Sequence, residues 1–159
     1  MTATATMAPN GKASTVKTTF SRETSVSIMI KADAAIVWAL LTKASDYPRW
    51  NKTVTSIEGN IALGEKIKLK SILDAKRTFT LKIKEFEPTT RLVWGDMQGN
   101  RVYTIAQTGT GAITFTMTEK IGGLMFPMYA SMIPPFDESF ERFATDLKKE
   151  AETIMNATN

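Results

Sequence analysis

The stretch from Phe136 to Met155 sets what this chain must build. Phe136, Phe140, Phe143, Ala144, Leu147, Ala151, Ile154 and Met155 recur at helical spacing, while Glu138, Glu141, Arg142, Lys148, Lys149 and Glu152 occupy the other positions. Such an amphipathic helix is about 30 Å long at roughly 1.5 Å per residue, enough to cross a small domain. Pro134 and Pro135 stand where a helix begins without losing a needed N–H. Asp137 and Glu138 suit its positive N-terminal end, and Lys148 and Lys149 lie nearer the negative one. Glu138 and Arg142 are spaced for an i,i+4 ion pair. Three phenylalanines crowd the first half of the stripe, so a wide apolar surface must receive it.

The receiver is written in the middle of the chain. From Val54 the hydrophobic period becomes two, starting with a short strand that ends at Gly59 and Asn60. Ile67, Leu69 and Ser71 alternate with lysines, Phe79, Leu81 and Ile83 alternate with Thr80, Lys82 and Lys84, and Pro88 closes that strand. Leu92 to Trp94 leads into Gly95, Asp96, Gly99 and Asn100; Val102 to Gln107 leads into Gly109 to Gly111; Ile113, Phe115 and Met117 alternate with threonines. Strands joined by such turns predict an antiparallel meander, apolar and aromatic on one face and wet on the other. Ahead of it, Phe20 to Lys31 reads as the first strand, and Asp33 offers an N-cap to a helix carrying Val37, Leu40 and Leu41. Trp38, on the flank of that helix, is expected to pack it onto the sheet. Tyr47 before Pro48 breaks the pattern and sets a second short helix or turn. Met125, Met128 and Met132, at i, i+3, i+7 spacing around Pro127, predict a short or irregular helix that either fills the core or forms a movable pocket wall.

Residues 1–19 are hydroxyl-rich and free of acidic side chains, and they include Pro9, Asn10 and Gly11, so a flexible tail is expected there; residues 20–159 are expected to form a single domain. The tail has no apolar core for a secretory signal and no arginine for a transit peptide. The absence of cysteine removes disulfides and thiolate nucleophiles, and the absence of histidine removes the commonest metal ligand and acid/base group. No apolar run approaches the roughly 20 residues that span a bilayer. The net charge of +4 is read as spread through strands and helices rather than gathered into an arm, which favours a solvated surface over a nucleic-acid footprint. The expectation is a soluble cytoplasmic protein with no metal, no cofactor, no nucleic-acid partner and no stable membrane insertion. No pattern specifies an oligomeric state.

The order of strand, two helices, meander and long terminal helix is α+β. Val37-Trp38-Ala39-Leu40-Leu41-Thr42, Tyr47-Pro48-Arg49-Trp50-Asn51, Val54-Thr55-Ser56-Ile57-Glu58-Gly59, Gly64-Glu65-Lys66-Ile67 and Leu92-Val93-Trp94 stand in this order before the terminal helix. From Ser25 to about Ala151 the chain thereby resembles the START-like (SRPBCC) superfamily, the helix-grip fold, and more narrowly its polyketide cyclase/dehydrase and lipid-transport branch. The resemblance implies a curved antiparallel sheet wrapped around the terminal helix, two short helices after the first strand, and a deep apolar cavity for sterols, lipids, polyketides or other hydrophobic molecules.

On that reading the cavity is lined by Leu69, Phe79, Leu81, Trp94, Tyr103, Phe115 and Met117 from the strands and by Phe136, Phe140 and Phe143 from the helix, with Trp50 at the entrance and Met128, Tyr129 and Met132 at the mouth. The same side chains would equally serve as a filled core. Acid/base enzymes of the superfamily use polar residues inside the cavity. The candidates are Tyr103, Asp96 and Arg101, followed by Arg77, Glu85 and Tyr129. Asp96, beside Gly95, also suits an ordinary turn, and Tyr103 offers a donor/acceptor tip that orients a ligand. Phosphate loops and nucleophile–base pairs are missing. Three functions stay open: binding of a hydrophobic small molecule, which the inward aromatic faces favour; a metal-independent cyclase or dehydratase; and a co-chaperone-like interaction module that uses the surface.

Overall fold

The period-two segments all become strands. The computed structural model describes residues 7–158. It contains β1 (Ser14–Lys17), β2 (Ser21–Ile30), β3 (Val54–Glu58), β4 (Lys66–Ser71), β5 (Asp74–Glu87), β6 (Arg91–Gly95), β7 (Gly99–Gly109) and β8 (Ala112–Gly122). They form one antiparallel sheet in the order β1-β2-β8-β7-β6-β5-β4-β3. Helices α1 (Ala34–Thr42) and α2 (Tyr47–Trp50) follow β2, α3 (Phe126–Tyr129) follows β8, and α4 (Asp137–Ala157) ends the fold. Register places the alternating apolar residues side by side: Val26 and Tyr103 both pair with Met117, Ile28 and Ile105 with Phe115, Ile83 with Trp94, and Leu69 with Phe79. Register shifts in the β3–β4, β4–β5, β5–β6 and β7–β8 ladders add the local bending that a sheet needs to curl around a helix.

Phe143, Ala144, Leu147 and Ala151 of α4 are fully buried, and the helix lies mainly over β2 and against α1. Its carboxylates tie it to four distant segments. Glu141 accepts from the Ala13 N–H, Asp146 from the Lys52 N–H, Glu150 from Arg49 and Glu152 from the Lys31 N–H. Glu138 and Arg142, although correctly spaced, form no ion pair; on α4 that geometry is used by Lys148 and Glu152. Trp38 meets Phe86 of β5 edge to face at 5.1 Å, the helix-to-sheet contact expected of it.

The strand expected first is the second. Within the supposed tail, Ser14–Lys17 pairs with β2 as an edge strand, and Thr15 donates to Asp137 of α4 at 2.6 Å. Its hydroxyl-rich composition looks like disorder only when the partner, 122 positions away, is out of view. Residues 1–6 of the expected tail lie outside the described residues.

Asn51 holds the passage from α2 into β3. Its buried Oδ1 accepts from the Thr53 N–H, the Thr53 hydroxyl and the Val54 N–H at 2.9, 2.7 and 2.9 Å. Asn51→Ala leaves those donors unpaired, and since each such group costs about 1–3 kcal/mol, thermal or urea unfolding should show a loss of at least about 2 kcal/mol. Glu152 answers to pH. Burial raises its pKa, but Lys148 and the Lys31 N–H outweigh this and hold it below the ordinary carboxylate value. A depressed folded-state pKa contributes stability that is present above the unfolded value and lost as pH falls through the folded one. Glu152→Gln should therefore flatten the acid limb of the stability curve and leave its slope at neutral pH unchanged.

Candidate functional site

Where α4 turns from small residues to phenylalanines, sheet and helix separate. A cavity of about 570 Å³ lies between the first half of α4 and strands β4 to β8. Val54, Leu69, Trp94, Met117, Phe140 and Phe143, all buried, form its deep wall. The β4–β5 turn (Leu73, Asp74), the β6–β7 turn (Asp96, Gln98) and the segment after α3 (Met132, Ile133, Pro134) form its rim. Because Asp74, Gln98 and Met132 are exposed, the cavity reaches the surface at this end of the sheet.

Of the side chains expected to line it, Leu69, Phe79, Leu81, Trp94, Met117, Tyr129, Met132, Phe136, Phe140 and Phe143 do so. Trp50, Tyr103, Phe115 and Met128 do not. Trp50 packs against Tyr47 and Phe143 at 5.0 and 5.8 Å, behind the cavity rather than at its entrance. Phe115, Tyr103 and Phe143 form a triangle of rings 5.7 to 6.2 Å apart, and Tyr103 meets Trp94 at 4.9 Å. Trp50, Tyr103 and Phe115 form a layer one residue deeper. Strand alternation correctly says which side they face but carries no information on depth. Met128 points outward and is 73% exposed, because only one flank of the short α3 turn faces the sheet.

The polar candidates separate in the same way. Asp96 sits on the rim, where its Oδ1 accepts from the N–H groups of Gln98 and Gly99 and so shapes the β6–β7 turn. Arg77 lines the rim and lies over Phe79, 4.5 Å from the ring centre. Glu85 pairs with Arg91 at the surface, away from the cavity. Arg101 is different. It lines the cavity, donates through Nε to Glu119 Oε1 at 3.1 Å, and lies 5.0 Å from the centre of the Phe140 ring. Burial opposes its charge, but Glu119 outweighs that effect and holds the pKa above the ordinary arginine value. The Tyr103 hydroxyl lies beside this guanidinium yet has no partner at hydrogen-bonding geometry. Burial pushes the phenol pKa up, with Arg101 pulling part of the way back, so it is a neutral donor at physiological pH. Arg22 repeats the motif over Phe136 at 4.7 Å and donates to the carbonyls of Ile133 and Pro134.

Glu119 was not among the expected site residues. The signal was present: Ile113, Phe115, Met117, Glu119 and Ile121 alternate along β8, so Glu119 faces inward with its neighbours. Beneath a rim that includes Ser71, Asp74 and Arg77, the cavity is thus lined by Leu69, Phe79 and Leu81 on the β4–β5 side and carries one compensated ion pair on the β7–β8 side. Among the described residues, no group of three or more His, Cys, Asp or Glu side chains could hold a metal ion.

Comparison with known proteins agrees with this geometry. Residues 21–152 match a family model described as polyketide cyclase / dehydrase and lipid transport. No curated protein matches the sequence. A START superfamily protein from Mycobacterium smegmatis superposes with a TM-score of 0.61 at 13% identity, covering 83% of this chain and 98% of that one. The hypothetical protein jhp0584 from Helicobacter pylori gives 0.64 at 12% identity over 80% and 86%. DynU16, from the dynemicin biosynthetic locus, gives 0.61 at 18% identity over 82% of this chain but only 47% of its own. At these identities the likeness is one of fold.

Phe140 and Phe115 test whether the space is real. Phe115→Ala, in the filled layer behind the cavity, should cost about 3–5 kcal/mol on unfolding. Phe140→Ala, at the border of the cavity, should cost clearly less, as read by parallel denaturant titrations. Equal costs would mean that no space adjoins Phe140.

Proposed function

This chain belongs to the polyketide cyclase/dehydrase and lipid-transport family, and from that premise we propose that it binds a hydrophobic small molecule in the cavity between its sheet and α4. The observation that carries the reading is the pairing of an apolar wall with the Arg101–Glu119 ion pair inside it. Leu69, Phe79, Leu81, Met117 and Phe140 offer the contact area that apolar burial rewards. Of the Arg101 nitrogens only Nε is engaged by a protein acceptor, and only Oε1 of Glu119 accepts, so a donor and an acceptor stand side by side within the cavity. The pair is already neutral overall, which suits a ligand with an uncharged carbonyl or hydroxyl better than one with a free charge. Trp94 takes the role of wall, while Trp50, Tyr103 and Phe115 support it from behind.

The same ion pair favours a second reading, a metal-independent cyclase or dehydratase. Glu119 would accept a proton beside a carbonyl, and Arg101 would stabilise the oxygen as charge develops on it. This second reading requires turnover of a polyketide-like substrate that falls well over tenfold in Glu119→Gln. A cytoplasmic location and the absence of a nucleic-acid partner complete the proposal.

The binding reading is tested by extracting the purified protein for hydrophobic molecules and titrating it with a fluorescent long-chain probe. Leu81→Trp, which fills the cavity, should abolish probe binding while thermal unfolding stays cooperative. Arg101→Gln should weaken a carbonyl-bearing probe by about tenfold or more, the scale of one lost hydrogen bond to a charged group, and leave a purely hydrocarbon probe unaffected. Binding that is unchanged in Leu81→Trp would overturn the proposal.

A further inference from the structure

Charge and exposed apolar surface are both unevenly distributed on this molecule. Between Lys66 and Lys84 stand seven lysine or arginine residues against the one aspartate, a net +6 in a chain whose total is +4, so the remainder is net acidic. The basic residues read as spread are not: seven of the twenty stand together in this one segment, on β4 and β5. Lys66 lies directly across from Lys82, a like-charged pair that works against stability. Among the described residues, no lysine of β4 or β5 takes part in an ion pair. Glu58 of β3 faces Lys68 across the ladder, but no ion pair closes there. Charge held at a cost and left mostly uncompensated points to an anionic partner.

The apolar surface points to what kind of partner. Ten large apolar side chains stand exposed among the described residues, and seven of them occupy one end of the sheet. Phe20, Ile72 and Met97 sit at the tips of the β1–β2, β4–β5 and β6–β7 turns, and the other four lie between Leu124 and Met132. Antiparallel pairing brings these turns together, since Ser21 pairs with Gly122, Gly99 with Ile121 and Gly95 with Asn100. From Gly122 to Pro135 there is no charged residue. The cavity opens at this same end, and its rim includes Leu73, Gln98 and Met132 from these turns. The basic hairpin reaches past the others, because pairing of β5 with β6 starts only at Lys82 and Gly95 and leaves Asp74 to Leu81 without a neighbour on that side.

We propose that this end of the molecule docks peripherally on an anionic bilayer surface, with the β4–β5 hairpin against lipid headgroups and the turn tips in the interfacial layer around the cavity mouth. A bilayer satisfies both features together, since its headgroup region neutralises the lysines and its acyl boundary receives isolated apolar tips. A nucleic acid would meet the lysines and leave the tips in water. A second copy of the chain would oppose one basic hairpin with another. The inference goes beyond the cavity reading and does not depend on it.

The test is sedimentation of the full chain with vesicles of phosphatidylcholine alone and of phosphatidylcholine with phosphatidylglycerol, at low and high salt, without added ligand. Partitioning should require phosphatidylglycerol and fall with salt. Each basic side chain near the surface is worth about fivefold, so Lys70→Glu with Lys76→Glu should lower it by tenfold or more. Met125→Ser with Met128→Ser should lower it by a similar factor, and unfolding midpoints should be unchanged because all four side chains are exposed. Equal partitioning onto both vesicle types, no partitioning, wild-type partitioning of either double variant, or binding to a DNA duplex but not to vesicles would each overturn the docking proposal. Leu81→Trp should dock normally, so failure of the cavity reading and failure of docking are read separately.

Discussion

Everything that faces the cavity depends on how α4 is seated. Its second half carries Ala144 and Ala151 where the backbone comes close to β2, and Phe143 and Leu147 fill the gaps on either side. Its outer flank sends Glu141, Asp146, Glu150 and Glu152 to four segments far apart in sequence. Three of those acceptors take backbone N–H groups, which side-chain motion cannot easily withdraw. The helix is therefore fixed in axis and rotation by its second half and its back. Phe136 and Phe140 must then project over the bend of the sheet, whether or not the strands opposite fill the space. A cavity follows from a rigid roof above a sheet that curves away from it.

A dry roof and a dry floor would make that space a liability, since unfilled apolar volume costs stability with no compensating contact. The two arginines change the balance. Arg22 lies over Phe136 and Arg101 over Phe140, and those two rings stack on each other at 6.0 Å. Each guanidinium gains a face of aromatic charge density, and Glu119 contributes to the electrostatics of both. The roof is thus held by polar contacts along one edge while its underside stays apolar. This arrangement keeps the cavity open without asking dispersion contacts to fill it.

The sequence carried the element order because that order rests on local periodicity. Phe136 to Met155 at helical spacing and the alternating strands from Ile67 to Met117 are visible without knowing any contact. Depth is not local. Trp94 and Tyr103 face the same way on neighbouring strands, yet only Trp94 reaches the cavity, because depth depends on where the sheet bends. β1 was hidden for a related reason: four residues of ordinary strand composition have no identity until Thr15 finds Thr24 and Asp137. Glu119 and the basic hairpin were legible and overlooked. Alternation along β8 points Glu119 inward, and seven cations within 19 positions form a cluster by simple counting, but a strict lysine alternation resembles the ordinary wet face of an antiparallel sheet.

The segment joining β8 to α4 shows why the mouth lies where it does. Gly123, at φ 141, adopts a backbone geometry that side-chain-bearing residues rarely reach, and its N–H bonds the carbonyl of Phe20. At the other end Arg22 holds the carbonyls of Ile133 and Pro134, the last residues before the roof helix except Pro135 and Phe136. Between these anchors only Phe126 is buried, while Leu124, Met125, Met128 and Met132 face outward. Both anchors act through β2 and the turn before it, so the strap is tied to the side of the sheet on which α4 already rests. The opposite rim, the β4–β5 hairpin, is tied at its turn through the Ile72 N–H to the Thr53 carbonyl just before β3, at the edge of the sheet away from β2, on which α4 rests. The width of the opening is therefore set between a strap pinned by an arginine and a hairpin held by its neighbours in the sheet and by Thr53, and the basic charge and exposed apolar tips stand on these two rims.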